Sequence, residues 1–348
     1  MKEFEEIMTN LKRKIFKPVY FLCGEEPFYI DKISDFIEHN VLDESEREFN
    51  QSVLYGSDLD MAAIVGAAKR FPMMSEYQVV IIKEAQNIKE FSKAEKDESE
   101  KKTPAPNLFL NYVENPQPST ILVICLKYKK IDKRTALYKA LQKKAVYLES
   151  DKLYENQIPA WVNEYIKEKG YKINPRASQM LADYLGNDLS KISNELDKMF
   201  ISIPAGAEIS IEQIQENIGI SKDFNVFELQ DALAKKDVLK ANQIINYFSA
   251  NPKDNPIVLV LSNLYNYFNK VLLYHFVVDK NKFSAAKELG VNPFFVEGYQ
   301  RAASNFGTAK LKMIFSHLRE ADLKSKGIDN PSTTHGELLK ELVFKILH

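Results

Sequence analysis

Residues 18–32 read PVYFLCGEEPFYIDK: a run of apolar side chains, a glycine, then a proline-led segment with apolar residues at helical spacing. A short apolar run without polar alternation is what a strand buried on both faces requires, and such strands belong to parallel sheets covered by helices. Four more runs of this kind follow at 52–55, 78–82, 120–126 and 145–148, rich in Val, Ile and Tyr. Between the five runs the spacing predicts helices over 29–41, 60–70 and 133–143. Repeated strand-then-helix order predicts a doubly wound α/β domain over residues 1–150, built on a five-stranded parallel sheet.

A glycine directly after the first strand invites comparison with the phosphate-binding loop G-x-x-x-x-G-K-[ST]. Aligned on Gly24, the second glycine position holds Tyr29, the lysine position Ile30 and the hydroxyl position Asp31. Tyr29 puts a side chain where backbone must approach phosphate, Ile30 supplies no cation, and Glu25, Glu26 and Asp31 repel a polyphosphate. Lys32 comes one residue late and points elsewhere on a helix. The stretch VVIIKEAQ at 79–86 places Lys83, then Glu84, where a magnesium-binding aspartate would close a central strand, and a lysine there opposes the metal. The domain therefore reads as the architecture of a nucleotide hydrolase with a degenerate phosphate loop, a strand–turn–helix joint with no cofactor-binding role. No G-x-S-x-G elbow is present, and the five histidines lack metal-ligand spacing, so neither a catalytic nor a metal site is expected.

Beyond residue 150 no strand pattern persists. Ile158, Trp161, Val162, Tyr165 and Ile166 follow helical spacing, as do Ala177, Met180, Leu181, Tyr184 and Leu185, and then Leu189, Ile192, Leu196 and Met199. These predict a small three-helix domain over 151–212, with ISIPAGAEIS (201–210) as a linker and Ser210 with Gln213 as a capping box. Stripes such as Ala241–Ile244–Ile245–Phe248 and Leu338–Leu339–Leu342–Val343–Ile346 predict an all-helical third domain over 213–348. The segment 255–278 carries one charge, Lys270, but its Asn263, Asn266, Asn269 and His275 suit a protein core better than lipid. Residues 92–107, SKAEKDESEKKTPAPN, break the pattern and predict a solvated, mobile loop.

The 348 residues are 45% hydrophobic and 27% charged, which suits a globular chain, and the 47 basic against 48 acidic side chains exclude a protein that coats nucleic acid by bulk charge. Cys23 and Cys125 lie inside apolar runs and read as buried hydrophobes of a reducing compartment, so no disulfide framework is present. Without a signal peptide or a spanning segment, a cytoplasmic protein is expected.

Five stretches carry a resemblance: 18–32, FNQSVLYGSD (49–58), AKRFPMMSEYQVVIIKEAQ (68–86), GNDLSKISNELDKM (186–199) and LREADLKSKG (318–327). In this order and spacing the chain resembles the delta subunits of the bacterial DNA polymerase III clamp loader, over nearly its whole length. The 92–107 insertion departs from the compact form of that domain. The resemblance implies an AAA+-like domain, a helical lid and a collar domain that packs with sister subunits. It further implies a non-enzymatic subunit of the polymerase III holoenzyme that binds the beta sliding clamp and opens the ring. ATPase (tau/gamma) and delta-prime subunits complete a hetero-pentamer around primer–template DNA.

The resemblance places a hydrophobic wedge for the clamp at Phe71, Pro72, Met73 and Met74. Two adjacent unbranched methionines after a proline suit an adaptable apolar anchor. Read without it, apolar residues at an element end pack inward, and Phe71 in particular reads as core. The segment 127–144 holds eight basic residues and one acidic residue, with Lys129, Lys130, Lys133 and Arg134 at its head, followed by Lys139, Lys143 and Lys144. Contact with the DNA backbone and a solvated helix face are both open to it. Two further readings compete: an active ATPase with an unusual phosphate loop, and a stator-type or adaptor subunit that binds its sisters without opening the clamp.

Overall fold

The computed structural model describes residues 2–92, 108–218, 221, 224–329 and 332–348; the 93–107 part of the expected charged loop lies outside them. The chain divides into two compact units, Met1–Leu153 and Tyr154–His348.

The first unit is built on five strands, β1 (Val19–Gly24), β2 (Gln51–Tyr55), β3 (Gln78–Lys83), β4 (Thr120–Lys127) and β5 (Val146–Ser150). They form the one five-stranded parallel sheet that the sequence predicts, and its strand order is β2-β3-β4-β1-β5. Helices α1 (Lys2–Lys12), α2 (Pro27–Asn40), α3 (Glu44–Asn50), α4 (Met61–Ala68), α5 (Lys89–Ser92), α6 (Leu108–Glu114) and α7 (Ala136–Lys144) surround it. Successive strand residues face opposite sides. Val19, Phe21, Cys23, Val80, Ile82, Leu122, Ile124 and Leu126 pack with Met61, Ile64, Val65, Phe109, Tyr112 and Leu141 of α4, α6 and α7. The alternate positions, Tyr20, Leu22, Val79, Ile81, Val123 and Cys125, are equally buried on the α2 side, where Ile30, Ile33 and Ile37 have no exposed surface. Each such aliphatic or aromatic side chain contributes about 1.5–3 kcal/mol on burial, which is why both faces are covered. Both cysteines are buried, and burial pushes the Cys23 thiol up to about 11 and the Cys125 thiol up to about 12.

The second unit starts with α8 (Ile158–Glu168), α9 (Pro175–Leu185), α10 (Leu189–Ser202) and α11 (Ile211–Ile218). The predicted apolar stripes of α8 and α10 are buried throughout, and Asn174 caps α9 with Pro175 in its first turn. One expectation fails here. The 201–210 stretch contains β7 (Glu208–Ile209), which pairs in parallel with β6 (Lys172–Ile173), so strand structure does persist beyond residue 150. Two-residue strands are too short to leave a period in the sequence.

The helices α12 (Val226–Lys235), α13 (Val238–Ala250), α14 (Ile257–Phe276), α15 (Lys282–Leu289), α16 (Val296–Asn305), α17 (Thr308–Ser325) and α18 (His335–Leu347) complete the unit. Their core joins Leu233, Ile244, Phe248, Leu264, Phe268, Phe306, Ile314 and Leu342. The α14 helix buries one face through Val260, Leu264, Phe268 and Val271 and exposes Val258, Leu259, Tyr265, Leu273 and Phe276 on others. No helix among the described residues is long and apolar enough to cross a membrane.

Candidate functional site

In an open parallel sheet ligands bind beyond the carboxyl ends of the strands. Here Gly24, Lys83, Lys127 and Ser150 end β1, β3, β4 and β5 at that edge. Gly24 has a φ of +131°, and a Cβ there would stand 2.0 Å from the Ser150 carbonyl oxygen, so only glycine fits. The close approach has a purpose in the fold. The Glu25 and Glu26 amides donate to the Ser150 carbonyl at 2.8 and 3.3 Å, and the Gly24 amide donates to the Lys129 carbonyl at 3.0 Å. The Phe28 amide donates to the Glu26 carboxylate at 3.1 Å, and the Ser150 hydroxyl donates to the Cys23 and Glu26 carbonyls. The amides that cradle phosphate in a functional loop are bonded within the chain.

The side chains repeat this pattern. Tyr29 is buried with its ring edge-on to Phe4 at 4.9 Å, and Ile30 has no exposed surface. Lys32 lies over the Phe28 ring, 5.5 Å from its centre. Asp31 pairs with Lys127 at 2.8 Å, and Glu84 reaches the same ammonium at 3.5 Å. Lys83 pairs with Glu38 at 2.8 Å and Asp35 at 3.8 Å, both from α2. Burial pulls the Lys127 pKa down, but the Asp31 and Glu84 carboxylates outweigh it and hold the ammonium above its ordinary value. Lys83 is raised in the same way, Glu38 overcoming burial. The two lysines that end β3 and β4 are thus each paired with two carboxylates within the chain.

The amino end of the same sheet is different. The loop between α4 and β3 carries Phe71, Met73 and Met74, whose exposures are 76%, 63% and 103%, with Pro72 half-buried between them. Phe71, read from sequence as core, is instead on the surface. The reason is that α4 ends at Ala68, so the chain has left the sheet face before residue 71 is reached. Gln78 holds the departing chain: its amide donates to the Ala67 and Arg70 carbonyls at 3.2 and 2.6 Å and to the Thr120 hydroxyl at 2.7 Å. Asn50, at the end of α3, holds the loop itself. Its side-chain carbonyl accepts from the Met73 amide at 2.6 Å, and its side-chain amide donates to the Met73 carbonyl at 2.9 Å. Met74 is then left-handed, φ +54°. Tyr77 closes the loop against Phe16, ring centres 5.6 Å apart. Phe49, next to Asn50, is 66% exposed and adds a fourth large apolar side chain at this end.

Sequence reasoning missed Asn50, Gln78 and Phe49. Asn50 ends α3 just before the predicted run 52–55 and Gln78 opens the run 78–82, and the one available signal was that a polar residue at the edge of a buried run needs a partner.

The basic segment divides. Lys130 pairs with Asp151 and, at 3.5 Å, with Glu149; Lys133 pairs with Glu149 at 3.4 Å. Arg134 makes a two-pronged pair with Asp132, 2.7 Å at its shortest, and the Lys129 ammonium donates to the Gln86 carbonyl at 3.2 Å. Asp132 is held well below the usual carboxylate range, to about 2, by Arg134. Lys139, Lys143 and Lys144 on α7 are exposed and have no acidic partner among the described residues.

The chain is similar to known proteins over most of its length. A family model described as "DNA polymerase III, delta subunit" matches residues 20–151, and one described as "DNA polymerase III delta subunit, C-terminal domain" matches residues 223–340; together they span well over half of the chain. The DNA polymerase III subunit delta of Bacillus subtilis (strain 168) is 25% identical over 323 residues, covering 92% of this chain and 91% of the relative. Among solved structures the Bacillus subtilis DNA clamp loader delta protein matches with a TM-score of 0.58 at 22% identity, covering 99% of each chain, a likeness of fold. That fold is an α/β domain on a five-stranded parallel sheet followed by helical segments. With both family models in chain order, the chain belongs to the family of DNA polymerase III delta subunits.

Proposed function

We propose that the chain binds the beta sliding clamp through Phe71, Pro72, Met73 and Met74 and opens the ring, so that the ATP-driven loader can place it on primed DNA. The observation that carries this reading is the loop at the amino end of the sheet. Three large apolar side chains stand in solvent on a backbone fixed by buried Asn50 and Gln78. Burying them in a pocket of the clamp would recover about 25 cal/mol for each Å² removed from water. The family supports the assignment of partners: the clamp, the tau/gamma ATPases and delta-prime in a hetero-pentamer, and primer–template DNA. ATP hydrolysis is assigned to the sister subunits, because the crevice at the carboxyl end has its amides and charges satisfied from within.

Ring opening is tested with a fluorophore pair across one interface of the clamp. Adding this chain alone, without ATP, is expected to separate the pair. An unchanged signal at saturating chain would overturn the opening role and favour the adaptor reading.

A further inference from the structure

We infer that Asn50 is a positioning residue for clamp contact: its buried carboxamide sets the geometry of the apolar loop by bonding both backbone groups of Met73. The inference rests on the reading of that loop as the clamp contact, and adds to it the residue that makes the contact rigid.

Asn50 is only 5% exposed and is the last residue of α3, immediately before β2. β2 pairs with β3 in parallel, Gln51 opposite Val79, which brings the start of β2 beside the loop that feeds β3. From there the Asn50 side chain accepts from the Met73 N–H and donates to the Met73 carbonyl, as a neighbouring strand would. Its amide also donates to the Glu46 carbonyl at 3.1 Å, which fixes the rotamer from the helix side. Glu46 itself bonds Ser75 as well as the Asp43 amide, so α3 grips the loop at a second point.

Energetics explain why such a grip is needed. Left-handed backbone is unfavourable for a residue with a Cβ, and Met74 adopts it at φ +54°. The Met73 and Met74 side chains lie in solvent and cannot fix the backbone by packing. Without Asn50 the loop would be free to leave this conformation, and ordering it again would oppose binding. Asp at this position keeps the acceptor for the Met73 amide but turns an oxygen toward the Met73 carbonyl. Ala loses both bonds.

The test uses the full chain and three readouts. The first is hydrogen exchange at the Met73 amide without clamp. It is expected to be protected in the wild type, partly protected in Asn50→Asp and unprotected in Asn50→Ala, with the amides of β3 protected in all three. Equal protection in wild type and Asn50→Ala would overturn the inference. The second is calorimetric affinity for the clamp in a double-mutant cycle with Met74→Ala. Asn50→Ala is expected to weaken binding about tenfold alone and less than twofold in the Met74→Ala background, because the loop it positions is already impaired. Equal losses in both backgrounds would overturn the positioning role. The third is the urea midpoint, which separates this loss from unfolding; a loss of affinity that only tracks a loss of folded protein overturns the inference. A wild-type chain that shows Met73 protection but no clamp affinity would refute the clamp reading and, with it, the role for Asn50 in that contact, while the protection data identify which of the two failed.

Discussion

The two ends of one sheet have opposite characters. At the carboxyl end, where doubly wound domains hold their ligands, each loop amide from Gly24 to Phe28 described above and each lysine at a strand end has a partner inside the chain. At the amino end, polar side chains are spent on holding backbone, and the apolar side chains are left outside. The same five strands position both. A rigid sheet edge is what an apolar loop needs to act as an anchor.

The comparison can be broken at its stiffest point first. Gly24→Val places a branched side chain against the Ser150 carbonyl and forbids φ +131°. Stability should fall by on the order of 3 kcal/mol or more, read from urea unfolding. A loss under 1 kcal/mol would mean that the closed phosphate loop is not a structural joint.

Next is Lys127→Met, which leaves Asp31 and Glu84 facing each other. With both carboxylates more than a third exposed, solvent screening limits the loss to about 1 kcal/mol at pH 7. The sign with pH follows from the raised Lys127 pKa: its contribution is full below the unfolded lysine value near 10.4 and is lost as pH rises past it. The variant should therefore lose less stability than the wild type as pH rises above about 10.4, and a parallel decline in both would contradict the ion pair.

The smallest effect is expected for the basic segment. Lys129→Ala/Lys130→Ala/Lys133→Ala should flatten the salt dependence of loader–DNA affinity by less than the roughly one unit per phosphate contact of free lysines. Lys130 and Lys133 already face carboxylates and release fewer counterions on binding. An unchanged slope would remove DNA contact from Lys129, Lys130 and Lys133 and leave Lys139, Lys143 and Lys144 as the basic groups of α7 to test.

Much of this contrast was legible in the residues. The run at 18–32 announced a buried parallel strand, which β1 is, and Tyr29, Ile30 and Asp31 departed from what a phosphate loop requires, because side-chain chemistry at a fixed spacing can be compared with that pattern. Phe71 was misread because an apolar residue near a helix end packs inward more often than not, and the point at which α4 stops is invisible to periodicity. Asn50 and Gln78 were missed because their partners, the Met73 backbone for one and the Ala67 and Arg70 carbonyls and Thr120 hydroxyl for the other, are distant in sequence, which does not say which groups will meet. The ion pairs of Lys83 and Lys127 were hidden for the same reason: they join α2 to the ends of β3 and β4, which meet only after the sheet has formed.

The most direct measurement is calorimetric titration of the cognate beta sliding clamp, without ATP, into the wild-type chain and into Met73→Ala/Met74→Ala. Both side chains are exposed, so the variant should fold with stability within about 0.5 kcal/mol of the wild type. The account predicts tight wild-type binding that falls by about 2 kcal/mol or more in the variant. Equal binding by both proteins would contradict the claim that the amino end of the sheet makes the contact.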